Sequence, residues 1–436
     1  MKKETRFLIC LCALGCMAVT CKKQQNNTII TPPKDTILVN LNHLNYLYTP
    51  VIFSTGTHAA GVYIYAEFPD YHLVGAGNEG YTCVDDVSRA ALVYLRSNNF
   101  STDTAIQSKA FNLIKFILEM QSANGYFYNF LLPGDQINTN GPTSINSPQW
   151  WSWRALQTLT EANPLIKIKN AQLSGQIEQA ILKLVTTIKT DLVNIPQTTK
   201  VVNGITVPQW LPAGSGTDQA ALLILGLIPY CKATNDAVLT AYVKKLADGI
   251  SLMQQGDAAH YPYGCFLSWE NTWHAYGNDQ AYALFTAGAF LNDASYTAKA
   301  LAEVDNFYPW LLQNGMKSSF VVTKNSGQVQ LVSEKSFDQI AYGIRPMVFA
   351  AIEAFKLTGQ EKYADLAGHL SAWFLGLNDA GKNMYSVTTG RCYDGITSPG
   401  NINLNSGAES TIEALLTLQK VENYPAIKAA LNKYKK

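Results

Sequence analysis

Two kinds of helix alternate along this chain, and that alternation limits what it can fold into. Segments such as QAALLILGLIPYC and QIAYGIRPMVFAAIEAF are apolar on nearly every side, as helices covered on both faces must be. Segments such as SGQIEQAILKLVTTIKTDL and LTAYVKKLADGISLM keep one charged stripe, as helices with one face in water do. Helical periodicity places the first kind at 85–96, 150–162, 217–231, 278–291, 337–357 and 408–421. The second kind falls at 104–121, 173–193, 235–254, 294–314, 360–376 and 424–435. Six buried helices each followed by a half-exposed one describe an inner ring inside an outer ring. The expected fold class is all-α, an (α/α)6 toroid of six helical hairpins.

Loop lengths agree. Connections from inner to outer helix are short, near 233–235, 292–295 and 358–360. Connections back are long, at 122–149, 194–216, 255–277, 315–336 and 377–407. Loops of that length in a compact domain are usually functional. All five run into N-termini of inner helices, so they crowd one rim. An open α-solenoid would show more uniform repeats and shorter loops. Residues 38–84, including VYIYAEFPDYHLVGAGNEGYT, read as irregular or short-strand structure over the same rim, within one catalytic domain spanning 38–436.

The N-terminus MKKETRFLICLCALGCMAVTC has a basic start and an apolar run too short to span a bilayer as a mature helix. It reads as a lipoprotein signal peptide over 1–21 with Cys21 lipidated, followed by a polar linker over 22–37. Cys16 as the lipidated residue and an ordinary secretory signal are the alternatives. Either way the chain is expected to be exported, with the membrane met only through that anchor. The remaining cysteines, Cys83, Cys231, Cys265 and Cys392, show no metal-ligand spacing, so no metal or other cofactor is expected. A disulfide between Cys83 and Cys392, both near the rim, is open in an oxidising compartment. Net charge is +1, which with no basic stripe argues against a nucleic-acid partner. Nothing in the sequence speaks to oligomeric state.

The rim junctions carry the chemistry. They read CVDDVSRAALVYL, QWWSWRALQTL, SGTDQAALLILGL, YGNDQAYALFTAG, SFDQIAYGIRPMVFAA and NSGAESTIEALLTL. Their acids, Asp85, Asp86, Asp218, Asp279, Asp338 and Glu409, are each expected in the first turn of an inner helix. Taken singly, an acid there is adequately explained by the helix dipole and by capping. Ser406 to Glu409 has capping-box spacing, and Ser215 to Asp218 is a close variant. Taken together, convergent carboxylates among loop aromatics suit a carbohydrate: acids for the glycosidic bond, ring faces to stack on sugars. Trp150, Trp151, Trp153, Trp210, Trp269, Trp273, Tyr126 and Tyr128 are the available platforms, with Trp153 expected in the barrel wall. Arg89, Arg154 and Arg345 either bind substrate or pair with structural acids. Of these residues, Trp150, Trp151, Arg154, Asp218, Trp273, Asp279, Asp338 and Tyr128 are the candidate substrate contacts.

The stretch WFLGLNDAGKNMYSVTTGRCYDGI, followed by NSGAESTIEALL, resembles the C-terminal part of glycoside hydrolase family 9. There a W-x-L-G-x-N-x-x-G segment precedes a helix start whose Glu is the general acid. The family's base is an Asp of an acidic cluster at the first barrel helix, where this chain has CVDDVSRA. The likeness implies inverting hydrolysis, with Glu409 protonating the leaving oxygen and Asp85 or Asp86 activating water. DD-x-x-R-A and GAEST-x-E-A-L-L are also similar to motifs of uncharacterised bacterial six-hairpin glycosidase-like lipoproteins. The family's DAGD is VDDV here, and its His-Arg segment is missing apart from Arg391. The expected function is therefore a secreted glycoside hydrolase. Its rivals are a non-catalytic glycan-binding lipoprotein and a polysaccharide lyase or epimerase relying on Tyr or His.

Overall fold

The computed structural model describes residues 37–435. The signal peptide, Cys21 and linker residues 22–36 lie outside them. A short helix α1 (Asn42–Leu47) and the antiparallel strand pairs Tyr48–Ile52 with His58–Val62 and Tyr65–Glu67 with His72–Val74 form the N-terminal segment. Twelve further helices follow. The inner set is α2 (Val84–Leu95), α4 (Trp150–Lys167), α6 (Thr217–Thr234), α8 (Gln280–Leu291), α10 (Ala341–Thr358) and α12 (Ala408–Glu422). The outer set is α3 (Thr104–Glu119), α5 (Ala171–Asp191), α7 (Ala237–Leu252), α9 (Ala294–Asn314), α11 (Glu361–Ser371) and α13 (Pro425–Tyr434).

Each inner helix packs on the next, and α12 packs back on α2, which closes the ring. Closure excludes the open solenoid. Every residue of α2 except Asp85 is buried, as the apolar wheel requires. On α5 burial is confined to Leu173, Ser174, Ile177, Ala180, Ile181, Leu184, Val185 and Ile188, one face at helical spacing.

The two rims are built differently. On the short-loop rim α6 and α8 end in left-handed Asn235 and Asn292, and α10 in Gly359. Four outer helices, α3, α5, α7 and α9, begin with Asp or Asn side chains accepting backbone N–H bonds: Asp103, Asn170, Asp236 and Asp293. On the long-loop rim α4, α6, α8, α10 and α12 have no side-chain cap, and α2 has only the Cys83 thiol. The expected capping boxes do not form. Ser406 Oγ faces Thr411 and Ser215 Oγ accepts from Glu270 N. Asp279 stands just before α8 and Asp338 three residues before α10, so neither lies in the first turn as expected. The rim acids are thus left for other partners.

The long loops contain strands that helical periodicity did not reveal. Thr272–His274, Ser319–Asn325 and Gln328–Lys335 form one antiparallel sheet, and Thr82–Cys83 pairs with Phe130–Leu132 at the entrance to α2. The weighed disulfide does not form: Cys83, Cys231, Cys265 and Cys392 are all free and buried.

Adjacent inner helices approach closely where side chains vanish. A Cβ on Gly226 of α6 would sit 2.9 Å from Leu156 Cγ and 3.0 Å from Gln157 N of α4. Gly226→Val is expected to destabilise the fold by about 1–3 kcal/mol through overpacking, read as a lower denaturation midpoint with an unchanged slope.

Candidate active site

The N-termini of α2, α4, α10 and α12 and the loops above them line a cavity of about 640 Å³. Its acids come from distant parts of the chain. Asp85 and Asp86 open α2, Glu409 opens α12, Asp338 precedes α10, and Glu79 and Asp394 sit on covering loops. Trp150, Trp151, Tyr65, Tyr276 and Tyr342 supply aromatic wall.

Below the cavity lies a buried network of charges centred on Glu413 of α12, which is fully buried. Arg89 Nη1 donates to its Oε1 at 2.8 Å, and Arg345 Nε donates to its Oε2. Burial opposes the charge of Glu413, but Arg345, Arg89 and Arg154 outweigh it and hold this carboxyl below its ordinary pKa. Arg345 also forks onto Asp279, at 3.1 and 2.9 Å. Arg154 reaches Asp85 Oδ1 at 3.3 Å and the Tyr342 hydroxyl. Arg89, Arg154 and Arg345 all pack over the Tyr342 ring, with guanidinium carbons 5.1, 4.9 and 5.9 Å from its centroid. Five inner helices are joined by this one network.

Arg89 is also the link to the cavity. Its Nη2 meets Asp85 Oδ2 at 2.7 Å, Asp86 Oδ1 at 2.7 Å and Glu409 Oε2 at 3.2 Å. A single nitrogen has two hydrogens, and the longest contact, to Glu409, is the weakest of the three. The environments of these acids diverge. The Asp86 side chain is 6% exposed, accepts from the Cys83 thiol at 3.4 Å, and has its pKa raised by burial against the pull of Arg89. The Asp85 side chain is 22% exposed and is paired with both Arg89 and Arg154. The Glu409 side chain, 43% exposed, opens to the cavity. Its pKa is pushed up to about 7, first by desolvation within the surrounding protein, with Asp86, Glu413 and Asp85 adding repulsion that Arg89 only partly offsets.

Asp394, not singled out from the sequence, anchors the start of α12. Its Oδ1 accepts from Gly407 N at 2.8 Å and Ser410 Oγ at 2.7 Å, and burial raises its pKa. An acid immediately before the strand Gly395–Ser398 has no sequence signal of its own; only the fold carries it to Glu409.

Of the candidate substrate contacts, Trp150, Trp151 and Asp338 line the cavity, and Arg154 lies behind Asp85. The others sit elsewhere. Trp273 is buried in the outer core, stacked on Phe320 with centroids 5.0 Å apart, because strand alternation turns it inward. Asp279 is fully buried and consumed by Arg345. Tyr128 packs half-buried against the core. Asp218 pairs with His274 at 3.0 Å; His274 in turn stacks on Tyr276, which faces the cavity, at 3.7 Å between centroids. Asp218 therefore acts on the cavity through two intervening rings. Trp153 sits in the wall as expected, its Nε1 donating to Gln219 at 3.0 Å. Gly277, at φ +67°, is required here: a Cβ would meet the Trp150 ring and the Tyr342 hydroxyl at 2.8 Å.

No protein-family model matches the chain, and no curated protein matches it in sequence. In structure it is similar to a sugar epimerase from a ruminal bacterium, with a TM-score of 0.58 at 12% identity, covering 84% of this chain and 92% of that one. It is also similar to the cellobiose 2-epimerase of Bacillus thermoamylovorans B4167, with a TM-score of 0.56 at 12% identity and the same coverage, 84% and 92%. A zinc-binding triple mutant of the glycoside hydrolase family 9 endoglucanase J30 matches with a TM-score of 0.53 at 11% identity, covering 88% and 84%. The chain has the six-hairpin (α/α)6 glycosidase fold, and at these identities the likeness extends to fold alone.

Two outcomes follow from the charge network. Glu413→Ala removes one buried carboxylate partner from each of Arg89 and Arg345 and is expected to cost about 3–5 kcal/mol, with Glu413→Gln losing less, measured by denaturant unfolding. The Glu409 pKa of about 7 lies above its ordinary 4.5, so between those values the folded chain binds more protons at this site than the unfolded chain. Its contribution to stability is therefore lost as pH rises through that window. Melting temperature should fall less steeply across it in Glu409→Gln than in the wild type.

Proposed function

We propose that the protein hydrolyses a glycosidic bond, with Glu409 as general acid and Asp85 as general base. One observation carries this reading: the Glu409 carboxyl, opening to the cavity with its pKa pushed up to about 7, shares Arg89 with Asp85, which is paired with both Arg89 and Arg154. Environments that separate two carboxyl groups in this way assign acid and base. Asp85 is favoured over Asp86 because it is the more exposed of the two, while Asp86 is enclosed by Arg89 and the Cys83 thiol. Asp86 then serves as a positioning residue. Trp150, Tyr65 and Tyr276 offer ring faces to sugar units.

In the proposed step Glu409 gives its proton to the bridging oxygen as the C–O bond breaks, and that oxygen leaves with the bonding electrons. Water attacks the anomeric carbon and Asp85 takes the water's proton. A shared guanidinium nitrogen holds the nearest oxygens of Asp85 and Glu409 within about 6 Å of each other; inverting sites hold their carboxyl groups about 6.5–9.5 Å apart and retaining sites about 5–5.5 Å.

The rival chemistries find less support. Among the described residues no His lines the cavity, which disfavours a pair of imidazole proton carriers. The cavity phenols of Tyr65, Tyr276 and Tyr342 are raised by burial, the wrong direction for a tyrosine base.

On a neutral oligosaccharide panel, Glu409→Gln and Asp85→Asn are expected to lose kcat by about 10²–10⁴-fold while still binding glycan, and Asp86→Asn to lose less. Wild-type kcat should decline as pH rises through about 7, where Glu409 loses its proton. Wild-type binding without product would leave a glycan-binding protein and remove the enzyme. We also propose export as a lipid-anchored protein, from the basic start and short apolar run ending at Cys21. Labelled fatty acid should be incorporated into the wild type and not into Cys21→Ser; retention of label there would place the anchor at Cys16.

A further inference from the structure

Among the described residues, the cavity wall carries Glu79, Asp85, Asp86, Asp338, Asp394 and Glu409 against one cation, Arg89, with neither Lys nor His in its lining. Arg89 has little to give an anionic ligand. Its Nη1 is on Glu413, its Nη2 on Asp85 and Asp86, and its Nε on the Asp85 carbonyl. Arg154 and Arg345, behind the wall, are committed to Asp85 and Tyr342 and to Asp279 and Glu413. Three guanidinium groups therefore face five network carboxyls. Glu79, Asp338 and Asp394 add further carboxyl groups to the wall with no cation opposite them. A cavity with low-dielectric walls focuses such a field on whatever enters.

Two of these acids have oxygens to spare. The Asp338 side chain is exposed and finds no hydrogen-bond or ion-pair partner among the described residues. Asp394 uses only Oδ1, on Gly407 and Ser410. Aromatic faces line the same cavity: Tyr65 and Tyr276 are 42% and 45% exposed, and Trp150 tilts against Tyr276 with centroids 6.5 Å apart. Carboxylates without competing cations, next to open aromatic rings, are the surroundings that favour an organic ammonium. Among the described residues no three His, Cys, Asp or Glu side chains are grouped to hold a metal ion, which separates this wall from a cation cage.

Taking the cavity as the glycan site proposed above, we infer that its preferred substrate is a glycan bearing a protonated amino group, seated against Asp338 and the free oxygen of Asp394. Uronate and sulfated glycans are rejected because no free guanidinium or ammonium group meets them. The amine contributes to binding at a distance from the bond that Glu409 protonates, so affinity and turnover can be read separately.

The test uses Glu409→Gln at low salt and about pH 5.5, where amines are protonated and ordinary carboxylates ionised. Calorimetry compares a glucosamine tetrasaccharide, its fully N-acetylated counterpart and a tetragalacturonate. The amine form should bind at least about tenfold tighter than the acetylated form, with the gap closing as salt is raised, and tetragalacturonate should not bind. Adding Asp338→Asn should shrink the preference by about fivefold and leave affinity for the acetylated form in place. Equal affinities, tighter binding of tetragalacturonate, or no binding of the glucosamine tetrasaccharide would each overturn the inference. Product release is assayed separately with wild type. Amine-selective binding without product removes hydrolysis and keeps the inference; product without selectivity does the reverse.

Discussion

Glu413 is the point on which the inner ring depends. A fully buried carboxylate is tolerable only with partners of opposite charge, and Arg89 from α2 and Arg345 from α10 supply them. Arg345 then requires Asp279 before α8, and Arg154 of α4 is drawn in through Asp85 and Tyr342. Each helix that delivers a charge must arrive at one rotation and one height, because a displaced partner would leave a bare charge in the core. Apolar packing alone would allow six smooth helices to slide; the network fixes their register.

The same arrangement produces the chemistry. Arg89 is held from below by Glu413 and from above gathers Asp85, Asp86 and Glu409, so carboxyl groups from opposite ends of the chain share one nitrogen. With too few positive charges for the acids present, the least firmly held carboxyl keeps its proton. Glu409 has the longest contact and the raised pKa. A structural ion network and an acid poised near neutrality are here one object.

The fold was legible because it rests on periodicity. All-round apolar helices such as α6 alternate with one-faced helices such as α5, and loops of unequal length put the inner N-termini on one rim. The acids at that rim were legible as a set, but their individual fates were not. Asp218, Asp279 and Glu409 look alike beside a helix start. Yet Asp218 supports Tyr276 through His274, Asp279 neutralises Arg345, and Glu409 opens to the cavity. Capping, the sensible expectation for each, belongs instead to the other rim, where Asp103, Asn170, Asp236 and Asp293 perform it. Glu413 carries a usable signal in the sequence: a carboxylate inside an all-round apolar helix has to be paired, and Arg89 and Arg345 stand in helices of the same kind. Tyr342 and Asp394 carried none, since a tyrosine in an apolar helix and an aspartate in a loop are ordinary.

The sequence by itself determined the toroid, the rim and the residue types that meet there, because hydrophobic period and loop length are local properties summed along the chain. Tertiary structure decided which acid faces which cation, how deeply each is desolvated, and that Trp273 turns inward while Trp150 and Tyr276 face the cavity. Those outcomes depend on distances between side chains up to some 320 positions apart, as between Arg89 and Glu409. Electrostatic energy is set by those distances and by burial, and neither exists until the ring has closed.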